Sequence, residues 1–385
     1  MTVIEPTFPK ELLSDSDEAR IRYFSEKRLA HPHLRTAFER VLSALEPGNP
    51  HSLILVTGPT GVGKTTLCRR IVKHFQDLNS PPEPGKIAVA MIEATAPPSG
   101  SYDWKEHFVR ALEAMGEPLV NRKACFGGLL EQQQRRSYTL PRKNPSTMDL
   151  RTALESCLVN RKPKVFVIDE AQHLKKVASG KRLIDQMDTI KSIANRSGVK
   201  HILAGTYDLL DLSDLSGQLN RRTIEIHLPR YRYDMEEERE SFRTVLANLE
   251  SNLPVSDQRP LDPHIEYIYR MSAGCVGILK DWMTEALALA LSTKSTEVSV
   301  AHLESTAISD RQLERIVREI REGEQAFGGD LRDSIRANLG IGPIAIAETK
   351  PPKPAAGFNR LPGKRKPKRD PVGLQNPDSI AGLVS

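Results

Sequence analysis

Gly58-Pro59-Thr60-Gly61-Val62-Gly63-Lys64-Thr65 is the stretch that decides the fold of this chain. It fits G-x-x-x-x-G-K-[ST]. It stands between Ser52-Leu53-Ile54-Leu55-Val56-Thr57, an apolar run of strand length, and Leu67 to Phe75, whose apolar residues recur at helical spacing. Glycines permit a tight turn whose successive N–H groups converge on one concavity. The helix that follows adds its unpaired N-terminal donors and the positive end of its dipole, which makes an anion cradle. Lys64 is expected to reach the β- and γ-phosphates of a nucleoside triphosphate, and the Thr65 hydroxyl to ligate Mg²⁺, with Thr66 the lesser candidate. A merely structural glycine-rich turn is the alternative.

Outward from the cradle, Lys164-Val165-Phe166-Val167-Ile168-Asp169-Glu170 is the second strong signal. An apolar run ending in two carboxylates describes a buried strand that delivers acids at its C-terminal edge, where parallel α/β sheets bind ligands. Asp169 is expected to hold Mg²⁺, directly or through water, and Glu170 to polarise the attacking water as a general base; a structural acid pair is the alternative. No Asn-Lys-x-Asp segment, the guanine-reading signature, occurs in the chain, so ATP is the expected nucleotide.

Three more strands complete the set. Lys86 to Glu93 is continuously apolar and is expected to be buried on both faces. Lys200 to Ala204 ends at Gly205-Thr206, where Thr206 is set to position the water or, failing that, to cap a turn. Thr223 to Leu228 follows Arg221 and Arg222, which cannot easily reach their own cradle but suit a neighbouring subunit's γ-phosphate, a surface ion pair being the alternative. Helical spacing over Trp104–Met115, Met148–Asn160 and residues 185 to 196 alternates with these strands. The fold class is therefore α/β: a parallel five-stranded P-loop sheet sandwiched by helices over residues 51–231.

Before that core, residues 1–50 read as a helical arm packed beside it, with Ile21, Phe24, Leu34, Phe38, Val41, Leu42 and Leu45 at helical intervals. After it, residues 232–325 read as a small helical lid with segments near 235 to 250, 261 to 272, 278 to 291 and 300 to 321. Lys280 opens one of these and is placed to bend back over the phosphates. Asp310 to Gln325 alternates acid and base and reads as a solvated helix. Residues 326–385, with Leu361-Pro362-Gly363-Lys364-Arg365-Lys366-Pro367-Lys368-Arg369, read as a basic, proline-rich disordered tail.

The chain has 385 residues, 39% of them hydrophobic, with 55 basic and 49 acidic side chains. Positions 350 to 385 hold eight of the basic and two of the acidic residues, which leaves 47 of each in the remainder. The net charge of +6 belongs to the tail, so any nucleic-acid surface on the body has to come from local clustering. Two clusters qualify. Residues 117 to 147 lack periodicity and carry Arg122-Lys123, Arg135-Arg136 and Arg142-Lys143; Lys175, Lys176, Lys181 and Arg182 decorate a later loop. Both suit phosphate contacts on double-stranded DNA with little sequence preference, and a solvated loop is the alternative. The four cysteines are far apart and show no metal spacing, and no apolar run approaches a membrane span. A cytoplasmic protein without a membrane partner is expected.

The cradle, the second strand, Val-Ile-Asp-Glu-Ala-Gln-His, Ala-Gly-Thr, Leu-Asn-Arg-Arg and Gly-x-Leu-Lys, in this order, resemble an AAA+ ATPase of the initiator type over positions 18 to 320. More narrowly the chain resembles the TnsC/TniB group of transposition regulators, which His31-Pro32-His33-Leu34-Arg35 also suits. The resemblance implies an ATP-dependent oligomer, a head-to-tail ring or a helical filament on double-stranded DNA, that carries target-site information from a TniQ-like selector to the transposase. It assigns Walker A to Gly58 through Thr65, Walker B to Asp169 and Glu170, sensor 1 to Thr206, the trans arginine to Arg221 or Arg222, and sensor 2 to Lys280. Lysine stands at sensor 2 where many relatives carry arginine. The basic tail would contact the transposase or another transposon protein. A nucleotide-gated signalling switch and a helicase-loader or secretion-type ATPase are the competing readings.

Overall fold

The computed structural model describes residues 4–80, 83–96, 102–120, 145–175, 180–211, 222–328 and 339, with the side chains of 180–185 excepted. Met1–Gly329 form one compact unit; of the expected tail, 326–385, the first three residues belong to the last described helix, and the rest, apart from Leu339, lie outside the described residues.

The elements follow one another as α1 (Asp17–Glu26), α2 (Pro32–Leu45), β1 (Leu53–Thr57), α3 (Lys64–Leu78), β2 (Val89–Glu93), α4 (Trp104–Ala114), α5 (Thr147–Arg161), β3 (Val165–Asp169), α6 (Gly180–Ser197), β4 (Lys200–Gly205), β5 (Thr223–His227), α7 (Glu236–Glu250), α8 (Ile265–Ser272), α9 (Val276–Ser292), α10 (Val300–Ser305) and α11 (Asp310–Gly328). All five strands are parallel, in the order β2-β3-β4-β1-β5. Side chains alternate across the pleat, so each strand feeds two cores. Leu53, Leu55, Phe166, Ile168 and Leu203 meet Phe108, Leu112, Leu154 and Ile190 from α4, α5 and α6 on one face. Ile54, Val56, Val165, Val167 and Ile202 meet Leu34, Val41, Leu67 and Ile71 from α2 and α3 on the other. Burial of both faces explains why β1, β3 and β4 read as unbroken apolar runs.

Local chemistry sets the helix starts. Ser146 and Asp149 form a reciprocal capping box at α5, Asp103 accepts from the Lys105 and Glu106 N–H groups at α4, and Pro32 opens α2 with its φ already helical.

The N-terminal arm is divided between two cores. α2 packs on the sheet, whereas Ile21, Phe24 and Leu29 join the third core, which α7, α8, α9 and α10 build around Phe242, Leu246, Leu279 and Met283. Phe24 is fully buried there, worth roughly 2–3 kcal/mol in transfer terms, and is the main tie between α1 and the lid. Residues ahead of α1 strap to the same body: Ile4 N–H donates to the Gln258 carbonyl at 3.0 Å and Thr7 N–H to the Ser251 carbonyl at 2.7 Å.

β2, although an edge strand, is buried on both faces as expected, Ala90 and Ile92 in one core and Val89 in the other, with Glu93 exposed at its end. Two expectations need correction. The segment from 300 to 321 is two helices, because α10 ends at Ser305 with Thr306 as its C-cap, and Ser309 caps α11 by accepting the Gln312 N–H at 3.4 Å. α11 is not solvated all round: buried Ile320 and the half-buried Leu313, Ile316 and Phe327 face the body, with the Phe327 ring stacked on His227 at 4.3 Å between centroids.

Candidate functional site

β1 is completely buried and delivers the chain to the cradle at its C-terminal end. Gly63, at φ 108°, holds the left-handed turn into α3 that a side chain would resist. As N-cap it offers no side chain to the first helical N–H groups, and the first turn of α3 contains no acid. Those donors and the positive helix end are therefore left for an anion. Lys64 is buried, and its Nζ donates to the carbonyls of Gly58 at 3.0 Å and Pro59 at 2.8 Å. Burial pushes its ammonium below the usual lysine range, while Glu170 and Asp169 pull the other way. A buried cation satisfied by two backbone carbonyls fits a triphosphate cradle, since phosphate oxygens offer stronger acceptors at the same place.

Asp169 closes β3 and is also buried. Burial raises its carboxyl above the usual range, and a hydrogen bond with the Thr65 side chain opposes the shift. Hydroxyl and carboxylate together are the hard oxygen donors that Mg²⁺ prefers. The next residue, Glu170, has φ 51°, a left-handed conformation unusual for a side-chain-bearing residue. Its N–H donates to Asp169 Oδ1 at 3.0 Å, and its carboxylate accepts from Gln172 Nε2.

Because β3, β4 and β1 are neighbours, the acids, Thr206 and the cradle share one edge of the sheet. Thr206 precedes the 3-10 turn Tyr207–Leu209, but its hydroxyl makes no backbone cap; it faces Asp208 Oδ2 at 3.4 Å, while its N–H donates to Gln172 Oε1 at 3.2 Å.

The lid reaches this edge directly. Gly277 in the first turn of α9 donates its N–H to the Gly61 carbonyl at 2.7 Å, and Ile278 packs against Gly61. α11 arrives from another side, with Thr60 Oγ1 3.4 Å from Glu319 Oε1. Arg230, bidentate to Glu324 at 2.9 and 3.1 Å, fixes that helix to the segment after β5.

Behind the cradle lies a pocket of about 420 Å³, open solvent included, walled by Lys27, Arg28, Leu29 and His31, by Val62, Gly63 and Thr66, and by Val276, Gly277 and Lys280. Its position, between the arm, the cradle and the lid, suits the remainder of a nucleotide. His31 is held by the Tyr231 hydroxyl at 3.1 Å, and burial, with His33 beside it, pushes the imidazole down to about 4. Lys280 Nζ donates to the Ser25 carbonyl at 2.5 Å, so in this conformation it is turned toward the arm.

Arg222 lies just before β5, at the edge of the sheet opposite the cradle. Its carbonyl accepts the Ser52 N–H at 2.9 Å, and its guanidinium donates to Asn195 Oδ1 at 3.0 Å. Arg221 lies outside the described residues, as do Arg122, Lys123, Arg135, Arg136, Arg142, Lys143 and Lys176; the side chains of Lys181 and Arg182 are likewise not described. Lys175 is engaged by Asp208 and Asp211 at 2.9 and 2.5 Å. No described helix is long and apolar enough to cross a membrane.

Sequence reading offers Lys27 and Arg28 as ligand or DNA contacts, a solvated helix face being the alternative, but does not single out Gln172 or the role of Gly277. Periodicity is blind to them, because each acts across elements far apart in the chain. The Gly-x-Leu-Lys segment was a signal, but for Lys280 and not for the glycine that touches the cradle.

Residues 49–212 match the family model described as an AAA domain. Among solved structures, the chain is similar to Cdc6p from Pyrobaculum aerophilum at 13% identity, over 81% of this chain and 74% of that one, with a TM-score of 0.50. The ORC2 protein of Aeropyrum pernix in its ADP form follows at 16% identity, 74% and 71% coverage and a TM-score of 0.47. A Drosophila ORC structure bound to DNA matches at 13%, 89% and 84%, with a TM-score of 0.48. No curated protein matches the chain. At 13% identity the likeness to Cdc6p speaks for the fold alone. The segment that carries the cradle and both acids is thus the one that matches the AAA domain, and the fold built around it is a parallel five-stranded P-loop sheet flanked by helices, the AAA+ fold.

Proposed function

We propose that this chain is an ATP-hydrolysing AAA+ regulator of transposition, which oligomerises on double-stranded DNA and links target-site selection to the transposase. The observation that carries the hydrolytic part is the convergence of Lys64, the hydrogen-bonded pair Thr65 and Asp169, and the linked Glu170, Gln172 and Thr206 on one sheet edge. Lys64 would exchange its two carbonyl partners for β- and γ-phosphate oxygens. Thr65 and Asp169 would hold Mg²⁺, which neutralises phosphate charge when bound. Glu170 accepts a proton from water as the water oxygen bonds the γ-phosphorus and the bond to the β–γ bridging oxygen breaks.

Assembly is supported by the position of Arg222. At the edge opposite its own cradle, it is available to the phosphates of a neighbour, with Arg221 the other candidate. Head-to-tail contact of this kind closes into a ring or continues as a filament. Weak phosphate contacts from the basic clusters, repeated once per subunit, would sum to a salt-sensitive DNA complex. The order of motifs in the sequence supports the transposition role, a TniQ-like selector and the transposase being the partners and the basic tail the docking element. Lys280 would act as sensor 2, and the protein would work in the cytoplasm.

A nucleotide-gated switch without DNA is the second reading, favoured by the bond between Gly277 and Gly61, which lets the lid respond to the cradle directly. Gel shifts on random-sequence duplex with ATP, ADP and a non-hydrolysable analogue test the choice. The first reading expects ATP-dependent shifts that weaken from low to moderate salt and vanish in Lys64→Ala. Nucleotide binding without any shift selects the switch.

A further inference from the structure

Gln172 sits in the 3-10 turn Ala171–Lys175 after β3, and its amide is used at both ends. Nε2 donates to Glu170 Oε2, and Oε1 accepts the Thr206 N–H at 3.2 Å. The orientation follows from chemistry: a backbone N–H can only donate, so the amide oxygen must face Thr206, which leaves the NH₂ for the carboxylate. Room for this bridge comes from Gly205, where a Cβ would fall 2.4 Å from Gln172 Oε1 and 3.1 Å from its backbone N. One side chain therefore spans from the acid just after β3 to the end of β4, and the neighbouring strand is shaped to admit it.

Glu170 is held from other sides as well. Its left-handed backbone is strained and persists only where the surroundings fix it. The His173 N–H donates to its carbonyl at 3.0 Å and Asp169 Oδ1 accepts its N–H at 3.0 Å, which fixes the backbone. Of these bonds, Gln172 alone holds the carboxylate.

We infer that Gln172 is a positioning residue that ties the Glu170 carboxylate to the Thr206 segment, so that general base and sensor hold one geometry and a displacement at Thr206 reaches Glu170 through a single amide. The inference rests on Glu170 being the base, as proposed above. It assigns to Gln172 a part in the chemical step and none in holding nucleotide, since its amide bonds Glu170 and Thr206 and it does not line the pocket behind the cradle.

Phosphate release by the full chain, with Mg-ATP and duplex DNA, tests it. Gln172→Met keeps the length of the side chain and removes both hydrogen bonds; kcat is expected to fall about tenfold or more, with KM and analogue affinity within about twofold of wild type. Gln172→Glu keeps the acceptor for Thr206 but sets a carboxylate against Glu170, and is expected to lose at least as much. In a Glu170→Gln background, where turnover is followed over hours, Gln172→Met is expected to change the residual rate by less than about twofold, because the two act as one unit. Wild-type kcat in Gln172→Met, or the same fold-loss in both backgrounds, overturns the inference while Glu170 keeps its role. Wild-type turnover in Glu170→Gln removes the base itself, and the positioning role with it.

Discussion

Gly277→Ala sets two local effects against each other, and their magnitudes predict the winner. Gly277 is the second residue of α9, where alanine would favour the helix by up to about 1 kcal/mol. Yet a Cβ there would lie 2.4 Å from the Gly61 carbonyl oxygen and 3.0 Å from its carbon, both backbone atoms that cannot rotate away. Normal carbon–oxygen contact begins near 3.3 Å, so α9 and the cradle must part by about 1 Å. Overpacking of this kind costs roughly 1–3 kcal/mol. The Gly277 to Gly61 hydrogen bond, 2.7 Å long, is stretched in the same movement, at a further cost of about 1 kcal/mol. The clash therefore outweighs propensity, and thermal stability should fall. Because the displaced residue lies in the cradle itself, affinity for a fluorescent ATP analogue should fall at least about tenfold, equivalent to 1.4 kcal/mol. Gly198→Ala is the control: Gly198 has φ 69° and open space around its would-be Cβ, so that variant takes only the backbone strain and should bind nucleotide normally. A Gly277→Ala protein that melts higher than wild type and binds the analogue equally well would refute the premise that the lid presses on the cradle.

Acid should unfold the protein through its buried imidazoles. Burial pushes His107 down to about 3, and His31 and His201 to about 4, all below the 6.5 of an exposed ring. The unfolded chain thus binds more protons, so the contribution is intact above about pH 6.5 and is lost as pH falls toward 4, by about 2 kcal/mol per ring at pH 5; urea unfolding midpoints that agree at pH 7.5 and 5.0 would contradict this. Complementation tests the trans arginine: Arg222→Ala and Glu170→Gln should each lose turnover alone, yet an equal mixture should regain about a quarter of wild-type activity, since random assembly completes about one interface in four. A mixture as inactive as its parts, with Arg221→Ala mixtures active, would move the role to Arg221.

The sheet and cradle were legible in the sequence because their signals are local. Five strand-length runs, four of them ended by glycine or acid, become five parallel strands, and Gly63, Lys64, Asp169 and Thr206 meet because parallel strands present their C-terminal ends together. What escaped depends on distance in the chain. Nothing about Ile21 and Phe24 says that their partners are Leu279 and Met283 and not the sheet; both cores offer apolar surface, and only the assembled lid decides. Other signals were present and were outweighed. In α11 the alternating charges hide Leu313, Ile316, Ile320 and Phe327, which fall on one helical face, and Ser309 with Gln312 spells a cap that divides the last helices. Gln172 is the instructive case. Adjacent to an expected catalytic acid, it has no periodicity of its own, and its partner Thr206 stands 34 residues later. The trace it leaves in the sequence is Gly205, a small residue at a strand end where β-branched residues are the rule. A Cβ on that glycine would run into the Gln172 amide, from the turn after the neighbouring strand, and into the Leu209 side chain. A glycine inside a strand is thus a question about its neighbours, and here the answer is the amide that joins acid to sensor.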